Sequence, residues 1–491
     1  MPTRVLDVKQ GVRLIESSTL SEPSPFLTLS HCWGQGNMVV TTKERYERFK
    51  QNMDINSLPA TFVDAITLTR RLGYRYLWID TFCIIQDSFE DWQIEAVRLG
   101  SYYQYCILNI SALEGQSSGS GFLWSRTEDT LRMVGLENGE YLRPACSPWK
   151  NVFQNAPLSR RAWVLQERLM ATRVLHITRD ELLWECNTMS TRESCVKEYT
   201  TQRSSPKWND EHFKRAIAFP EFRIDADVIL PRLSPSERLS VMLRWYSIIE
   251  EYSGLHLTMA SDVFPAISAI AQHFQAVIGD QYVAGLWFHD LHTGLLWYRH
   301  ELTRHRRPPS FVAPTWSWAS TLARMKLLPS PLSTVKNNEL KANFVSPRPI
   351  PESESFLLGR IVEAGLTMNA ICATVWCKGS DGPTPFNDPF LKIVLNIFDD
   401  RGVMIGTGYQ DDIDADGDVS QCLAVVICER DEPELNAAVV LFLLLAEAKD
   451  SKPGMELYQR IGIGQTADPY KGGVVSYGAF KESERRDITI V

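Results

Sequence analysis

The stretch that most constrains this chain is Tyr76-Leu77-Trp78-Ile79-Asp80-Thr81-Phe82-Cys83-Ile84-Ile85-Gln86-Asp87. A short apolar β-type run ends there on a carboxylate, and a second carboxylate follows seven residues later. A strand apolar on both faces is one covered by helices on each side, the situation of a parallel sheet. Open α/β sheets bind ligands beyond the carboxyl ends of their strands, so acids delivered to such an end mark a candidate site.

The flanking sequence carries the same pattern. Phe26-Leu27-Thr28-Leu29-Ser30 is a compact strand running into His31-Cys32-Trp33-Gly34, where Gly34 and Gly36 permit a sharp turn. From Pro59 to Leu72 the residues Phe62, Ile66 and Thr69 recur at helical spacing, with Pro59 in the first turn and Gly73 just past the end. Tyr74 to Ile79 forms the second strand, and Asp80 to Ser88 reads as the loop after it. Asp91 then places negative charge in a helical first turn, and Trp92, Ala96, Leu99 and Tyr103 share one face. Cys106 to Ala112 is a third strand, and the β-α-β-α-β order predicts a parallel sheet with right-handed crossovers.

Three strand ends are thus expected to meet: His31 to Gly36, Asp80 to Asp87, and Leu113 to Gly121. The last holds Gly115-Gln-Ser-Ser-Gly119-Ser-Gly121, which lacks both phosphate-loop spacings. It reads as an ordinary surface loop, with a phosphate cradle as the alternative. Further on, Arg160 to Leu169 reads as one helix, with Trp163 and Glu167 four apart on one face. Val174 to Ile177 and Leu182 to Trp184 read as two more strands.

The 491 residues exceed one hydrophobic core, and 44% apolar with 22% charged residues is ordinary for a folded protein. The expected division is an α/β region over 1–195, a helical region over 196–309, and a β-rich region over 310–491. The helical region contains helical periodicity from Phe264 to Val277, and Gly285-Leu-Trp287 to Leu295-Leu-Trp297 brackets a turn. The β-rich region contains short runs at Ala370 to Cys377, Leu391 to Ile397, Leu423 to Cys428 and Val439 to Leu445. Asp412-Ile-Asp414-Ala-Asp416-Gly417 resembles the front of a calcium loop, but Leu423 stands where the bidentate Glu belongs, so a solvated turn is expected.

A net charge of -8 with scattered Lys and Arg, the densest group being Arg304, Arg306 and Arg307, gives no basic field for nucleic acid. Ten cysteines without a C-x-x-C pair point to reduced thiols in an intracellular setting, with Cys83, Cys106 and Cys186 as small core fillers. The N-terminus lacks the apolar core of a signal peptide. Ala437 to Ala446 is too short to span a bilayer, which needs about 20 residues. A soluble, cytoplasmic protein without a membrane span is expected. The nine histidines make no ligand-spaced cluster, so no metal is expected. His31 and Cys32 are adjacent on an extended strand and point to opposite faces, which argues against a thiol nucleophile activated by its neighbour.

Three blocks resemble the fungal heterokaryon-incompatibility (HET) domain family. They are Leu29-Ser30-His31-Cys32-Trp33-Gly34; Trp78 to Asp87, followed by Asp91-Trp92 and Glu95; and Arg161 to Glu167 in an Arg-x-Trp-x-x-Gln-Glu pattern. Phe82 stands where Leu is usual and Leu99 where Met is common, while Pro314 to Ala319 resembles a segment often found downstream in such proteins. The resemblance covers about Phe26 to Cys186. It implies a role in non-self recognition leading to programmed cell death. It also implies a distant likeness to Toll/interleukin-receptor (TIR) domains, some of which cleave the nicotinamide-ribose bond of NAD. A TIR-like or flavodoxin-like α/β fold with a parallel sheet is therefore expected.

In those NAD-cleaving relatives a glutamate follows a tryptophan on a helix beyond the strand ends, and Trp163 with Glu167 is the counterpart here. Glu167 is thus the candidate catalytic residue, with NAD as candidate substrate. Its plain alternative is a helix acid paired with Arg161, Arg168 or nearby backbone. The candidate nucleotide-binding residues are Ser30, His31, Trp33, Gly34, Asp80, Asp87 and Trp163. Asp80 and Asp87 serve equally as loop or helix caps, Trp33 and Trp163 as core, and Glu95 is expected to anchor its loop internally. Two alternatives stand beside NAD hydrolysis: a non-catalytic module that self-associates or binds a signalling partner, and a HET-like protein recruited to small-molecule metabolism.

Overall fold

The computed structural model describes residues 1–491 except 36–38, 127–133, 136–140, 143–147, 194–232, 301–306, 329–338, 380–393, 412–419, 433–436, 450, 452–455, 469–472, 475–479 and 481–482. The calcium-like stretch Asp412 to Gly417, Arg304, Arg306 and the start of the expected helical region lie outside the described residues. The chain forms two compact units, one of Met1–Leu230 with Pro265–Ile270 and one of Pro231–Phe264 with Ala271–Val491.

In the first unit the strands are β1 (Arg4–Asp7), β2 (Arg13–Glu16), β3 (Phe26–Ser30), β4 (Tyr76–Trp78), β5 (Leu108–Ser111), β6 (Arg173–Ile177), β7 (Leu182–Cys186) and β8 (Ser190–Arg192). They form one sheet in the order β8-β7-β6-β5-β3-β4-β1-β2. The central four, β6-β5-β3-β4, are mutually parallel. Antiparallel strands extend each side. The chain runs from β3 outward to β4, then returns across β3 to β5. The order therefore reverses between β3 and β5, the switch point where such sheets open a crevice at their carboxyl ends.

The helices follow from the sequence signals. Helix α1 (Lys43–Gln51) is capped by Thr42, whose hydroxyl accepts from Arg45 N. Helix α2 (Ala60–Arg71) begins one residue after Pro59 and buries Phe62, Ala65, Ile66 and Thr69. Helix α4 (Phe89–Tyr105) is capped by Ser88 rather than by Asp87 or Asp91. On β4, Trp78 is fully buried and meets Tyr102 and Tyr103 of α4 at ring separations of 5.5 and 5.8 Å.

Four local features depart from the sequence reading. Asp80 to Ser88 is not loop throughout: Asp80–Cys83 makes one helical turn, α3, closed by Cys83 N donating to Ile79 O at 2.8 Å. The segment from Arg160 does not enter its helix at once. Arg161 is extended, with φ -88 and ψ 130, and helix α6 runs Ala162–Met170 after a short helix α5 at Trp149–Asn155. The N-terminal hairpin β1-β2 and the strand β8 were not legible, being three or four residues long and studded with charge. The first unit also takes in Pro265–Ile270, where Ala269 N donates to Gln166 of α6 at 2.8 Å.

The second unit opens with helix α7 (Pro235–Tyr252), whose N-terminus is a complete capping box of Ser234 and Glu237. Helix α8 (Ser268–Ile278), which starts in the Pro265–Ile270 segment of the first unit and continues in the second, carries the periodicity seen in the sequence. Its β-rich part contains β9 (Asn343–Pro351), β10 (Ile361–Gly379), β11 (Val394–Phe398), β12 (Met404–Gln410), β13 (Ser420–Glu432), β14 (Ala437–Glu447), β15 (Leu457–Gln465) and β16 (Arg485–Ile490). The antiparallel pairings run β10-β13-β14-β15-β12-β11 and return to β10, closing a six-stranded barrel. Val375, Ile397, Ile405, Ala424, Phe442 and Leu444 fill its interior. Ala437 to Ala446 is accordingly a barrel strand. No helix among the described residues is long and apolar enough to cross a membrane.

Candidate functional site

The site begins with strand alternation. On β3, Leu27 and Leu29 point to one face, while Thr28 and Ser30 point to the other. The parallel register sets Thr28 beside Asn109 and Ser30 beside Ser111, and Ser111 beside His176 on β6. A row of polar side chains therefore crosses the sheet at the switch point, on the face that α4 and α6 cover. All five are buried. Buried polar groups require hydrogen-bond partners, and these find them in one another and in acids from neighbouring elements.

Glu167, on α6, is the first of those acids. Ser30 donates its hydroxyl hydrogen to Glu167 Oε2. The residue as a whole is half-buried, and its carboxyl sits against the polar row of the sheet. Burial pushes its pKa up to about 7, against the opposing effects of the Ser30 bond, the Arg161 guanidinium and the Tyr103 hydroxyl, and with a further upward push from Asp80. Glu167, Asp80 and Arg161 thus lie close enough to sense one another's charge.

Asp80 caps its own helical turn, accepting from Thr81 N at 2.7 Å and Thr81 Oγ1 at 3.1 Å. Its other oxygen accepts from Trp33 Nε1 at 2.8 Å, which fixes the indole at the end of β3. His31 turns to the opposite face from Ser30 and meets Phe62 edge-on at 5.1 Å. Burial drives its pKa down to about 4, so the neutral ring 3.8 Å from Asp80 makes no ion pair. Burial also raises the Cys32 thiol, and the thiolate a nucleophile needs is disfavoured. Arg161, at the foot of α6, donates to the His31 carbonyl.

Gly34 is required by its surroundings. Its φ is +81, and a Cβ there would stand 2.3 Å from Ser117 Cβ. The close approach ties the loop after β3 to the Gly/Ser loop, where Ser118 N and Oγ both donate to Trp33 O, at 3.2 and 3.1 Å. That second loop is closed upon itself. Gly115 N donates to Ala112 O, Gln116 N and Ser117 N to Ser120 Oγ, Ser120 N to Ser117 O, and Gly121 N to Thr61 Oγ1. With these donors engaged it is a pinned surface loop, and the cradle alternative falls away.

The remaining sequence candidates lie apart or serve packing. Asp87 is exposed and accepts from Lys43 N at 2.8 Å, fixing the start of α1. Trp163 is partly buried against the main core of the unit, one helical turn before Glu167. Glu95 is fully buried, accepts from Tyr102 at 3.0 Å and pairs with Arg4 at 3.5 Å. Arg4 also donates to Cys83 O at 2.8 Å and to Asp91 at 2.6 Å, and so holds the segment after α3.

A second acid, Glu185 on β7, was missed by sequence reasoning. Arg168 grips it as a fork, with Nε at 2.7 Å and Nη2 at 2.8 Å. His176 reaches Glu185 at 3.1 Å through Nε2 and Ser111 at 3.0 Å through Nδ1. Burial alone would raise the Glu185 pKa, but the Arg168 charge and the bonds from His176 and Arg168 overcome it and hold the carboxyl well below the carboxylate range. The Ser-His-Glu connectivity is that of a hydrolase triad. Each member is buried, however, and Glu185 is already neutralised by Arg168, so this cluster stabilises the sheet end. Polar residues at alternate positions of β3 and β5, within runs otherwise apolar, are the sequence signal that marks this row. Among the described residues no group of three or more His, Cys, Asp or Glu side chains is arranged to hold a metal ion.

Fold and site together define a doubly wound α/β domain with the Glu167 carboxyl set against a row of buried polar side chains at its switch point. Residues 26–167 match the family model described as Heterokaryon incompatibility protein (HET). The chain carries a HET domain, and the matched segment runs from the first residue of β3 to Glu167 itself. No curated protein and no solved structure matches the chain.

Proposed function

We propose that this HET domain acts in non-self recognition leading to cell death by hydrolysing NAD at its nicotinamide-ribose bond, with Glu167 as the catalytic residue. The observation that carries the reading is a carboxyl at the β3/β5 switch point that accepts from the Ser30 hydroxyl and whose pKa is pushed up to about 7 by burial. Above that pH the carboxylate accepts a hydrogen bond from the nicotinamide ribose and stabilises the positive charge that grows at the anomeric carbon. The carbon-nitrogen bond breaks with its electron pair leaving on nicotinamide, water supplies oxygen to the anomeric carbon, and a proton is released. Trp33, oriented by Asp80, offers a ring face for stacking at the same strand end.

A second reading is a signalling module that self-associates or binds a partner without catalysis. Expression of wild type and Glu167→Ala in a host cell separates the two. Loss of toxicity with unchanged self-association, together with loss of nicotinamide release by the purified full chain, supports hydrolysis. Unchanged toxicity in a folded Glu167→Ala variant sinks it.

A further inference from the structure

The hydrogen bonds beneath Glu167 run in a single direction. The Thr28 hydroxyl donates to Asn109 Oδ1 at 3.0 Å, and Asn109 Nδ2 donates to Ser30 Oγ at 2.9 Å. Ser30 then donates to Glu167 Oε2. A serine hydroxyl has one hydrogen. Ser30 Oγ also lies 3.3 Å from Asn109 Oδ1, and Thr28 Oγ1 lies 3.4 Å from the Cys106 thiol. Oδ1 could accept a second hydrogen bond, but Glu167 is the nearer acceptor, and turning the Ser30 hydrogen to Oδ1 would leave the carboxylate without that donor. The amide resolves the choice: by presenting its N–H to Ser30 Oγ it leaves the serine hydrogen facing Glu167. An amide in a strand interior has poor strand propensity and is costly to bury, so its placement calls for such a task.

We infer that Asn109 is a positioning residue for Glu167: held by Thr28, it orients Ser30 so that the serine hydroxyl always donates to the carboxyl. Residues on two adjacent strands thereby govern the protonation of an acid on a helix. For its effect on turnover the inference rests on Glu167 being the reactive acid, whereas its effect on Glu167 titration stands without any substrate.

The test is a titration of Glu167 in the full chain, followed by carboxyl-labelled NMR with the resonance assigned by its absence in Glu167→Gln. Ser30→Ala should raise the midpoint by about one unit, the order expected when one hydrogen bond to a carboxylate is lost. Asn109→Asp, of the same shape, draws the Ser30 hydrogen to itself and adds negative charge, so the midpoint should rise by one unit or more. Should Asn109→Asp fail to fold, Asn109→Leu keeps the question open and should raise the midpoint by about half a unit. A purely structural role would lower thermal stability and leave the midpoint alone. Midpoints unchanged in folded Ser30→Ala and in a folded Asn109 variant overturn the inference. Absence of nicotinamide release from the wild type, with the shifts present, overturns the NAD reading and leaves this one standing.

Discussion

Glu167 and Glu185 approach the same sheet face, one from a helix and one from a strand, and their environments differ in every respect that matters for chemistry. Glu185 is fully buried and held by a bidentate arginine and a histidine, so its charge is neutralised on the spot. Glu167 is half-buried, accepts from a neutral hydroxyl, and has its pKa pushed up to about 7. An acid whose charge is already satisfied has nothing to offer a ligand. One held by a neutral hydroxyl rather than by a paired cation is stable only as a compromise, and such compromises cluster at functional sites.

The largest effect should come from breaking the satisfied acid. Glu185→Gln or Arg168→Met leaves a buried charge unpaired and should destabilise the first unit by about 3–5 kcal/mol, read as a drop in the urea midpoint. A variant with unchanged stability would erase the contrast.

Glu167 should behave in the opposite sense. Its folded pKa, about 7, lies above the ordinary glutamate value of 4.5, so between those limits the folded state holds a proton that the unfolded chain has released. Stability from this group is therefore present below pH 4.5 and is lost as pH rises through 7. Glu167→Gln should be more stable than wild type at pH 8 by on the order of 2 kcal/mol and similar to it near pH 4. A Glu167→Gln variant less stable than wild type at both pH values would make Glu167 a structural acid like Glu185.

Next in size is Gly34→Ala, which forces a side chain into a positive φ and against Ser117. It should cost about 1–3 kcal/mol and displace Trp33 from Asp80, visible as a change in tryptophan fluorescence. The smallest is Asp87→Asn, which weakens one bond to an exposed helix start and should cost about 0.5 kcal/mol, with nicotinamide release unchanged. Loss of release in Asp87→Asn would move the site away from the Glu167 side.

Much of the architecture was legible because its signals are local. The alternation of β3, α2, β4, α4 and β5 rests on periodicity within each element, and four of the six barrel strands rest on mainly apolar runs, whereas β12 and β15, broken by Gly406, Gly408, Gly462 and Gly464, were not read. The hairpin β1-β2 was not legible, since its four-residue strands carry Arg4 and Asp7, whose burial depends on partners such as Arg75 and Asp91 far along the chain. Glu167 was reachable through its spacing from Trp163 within a family block. The chain beneath it was not, because Ser30 and Asn109 are 79 residues apart and only the register between β3 and β5 joins them. The Glu185 cluster was hidden for the same reason, as was the division of labour between the two acids.

The most direct measurement is the pH profile of nicotinamide release from NAD by the purified full chain, with Glu167→Gln and Asp87→Asn alongside. Release should rise with pH through about 7, as Glu167 ionises. It should fall by on the order of 100-fold or more in a folded Glu167→Gln variant, with Asp87→Asn near wild type. Release that is independent of pH across this range, or that persists in folded Glu167→Gln, would contradict catalysis by Glu167.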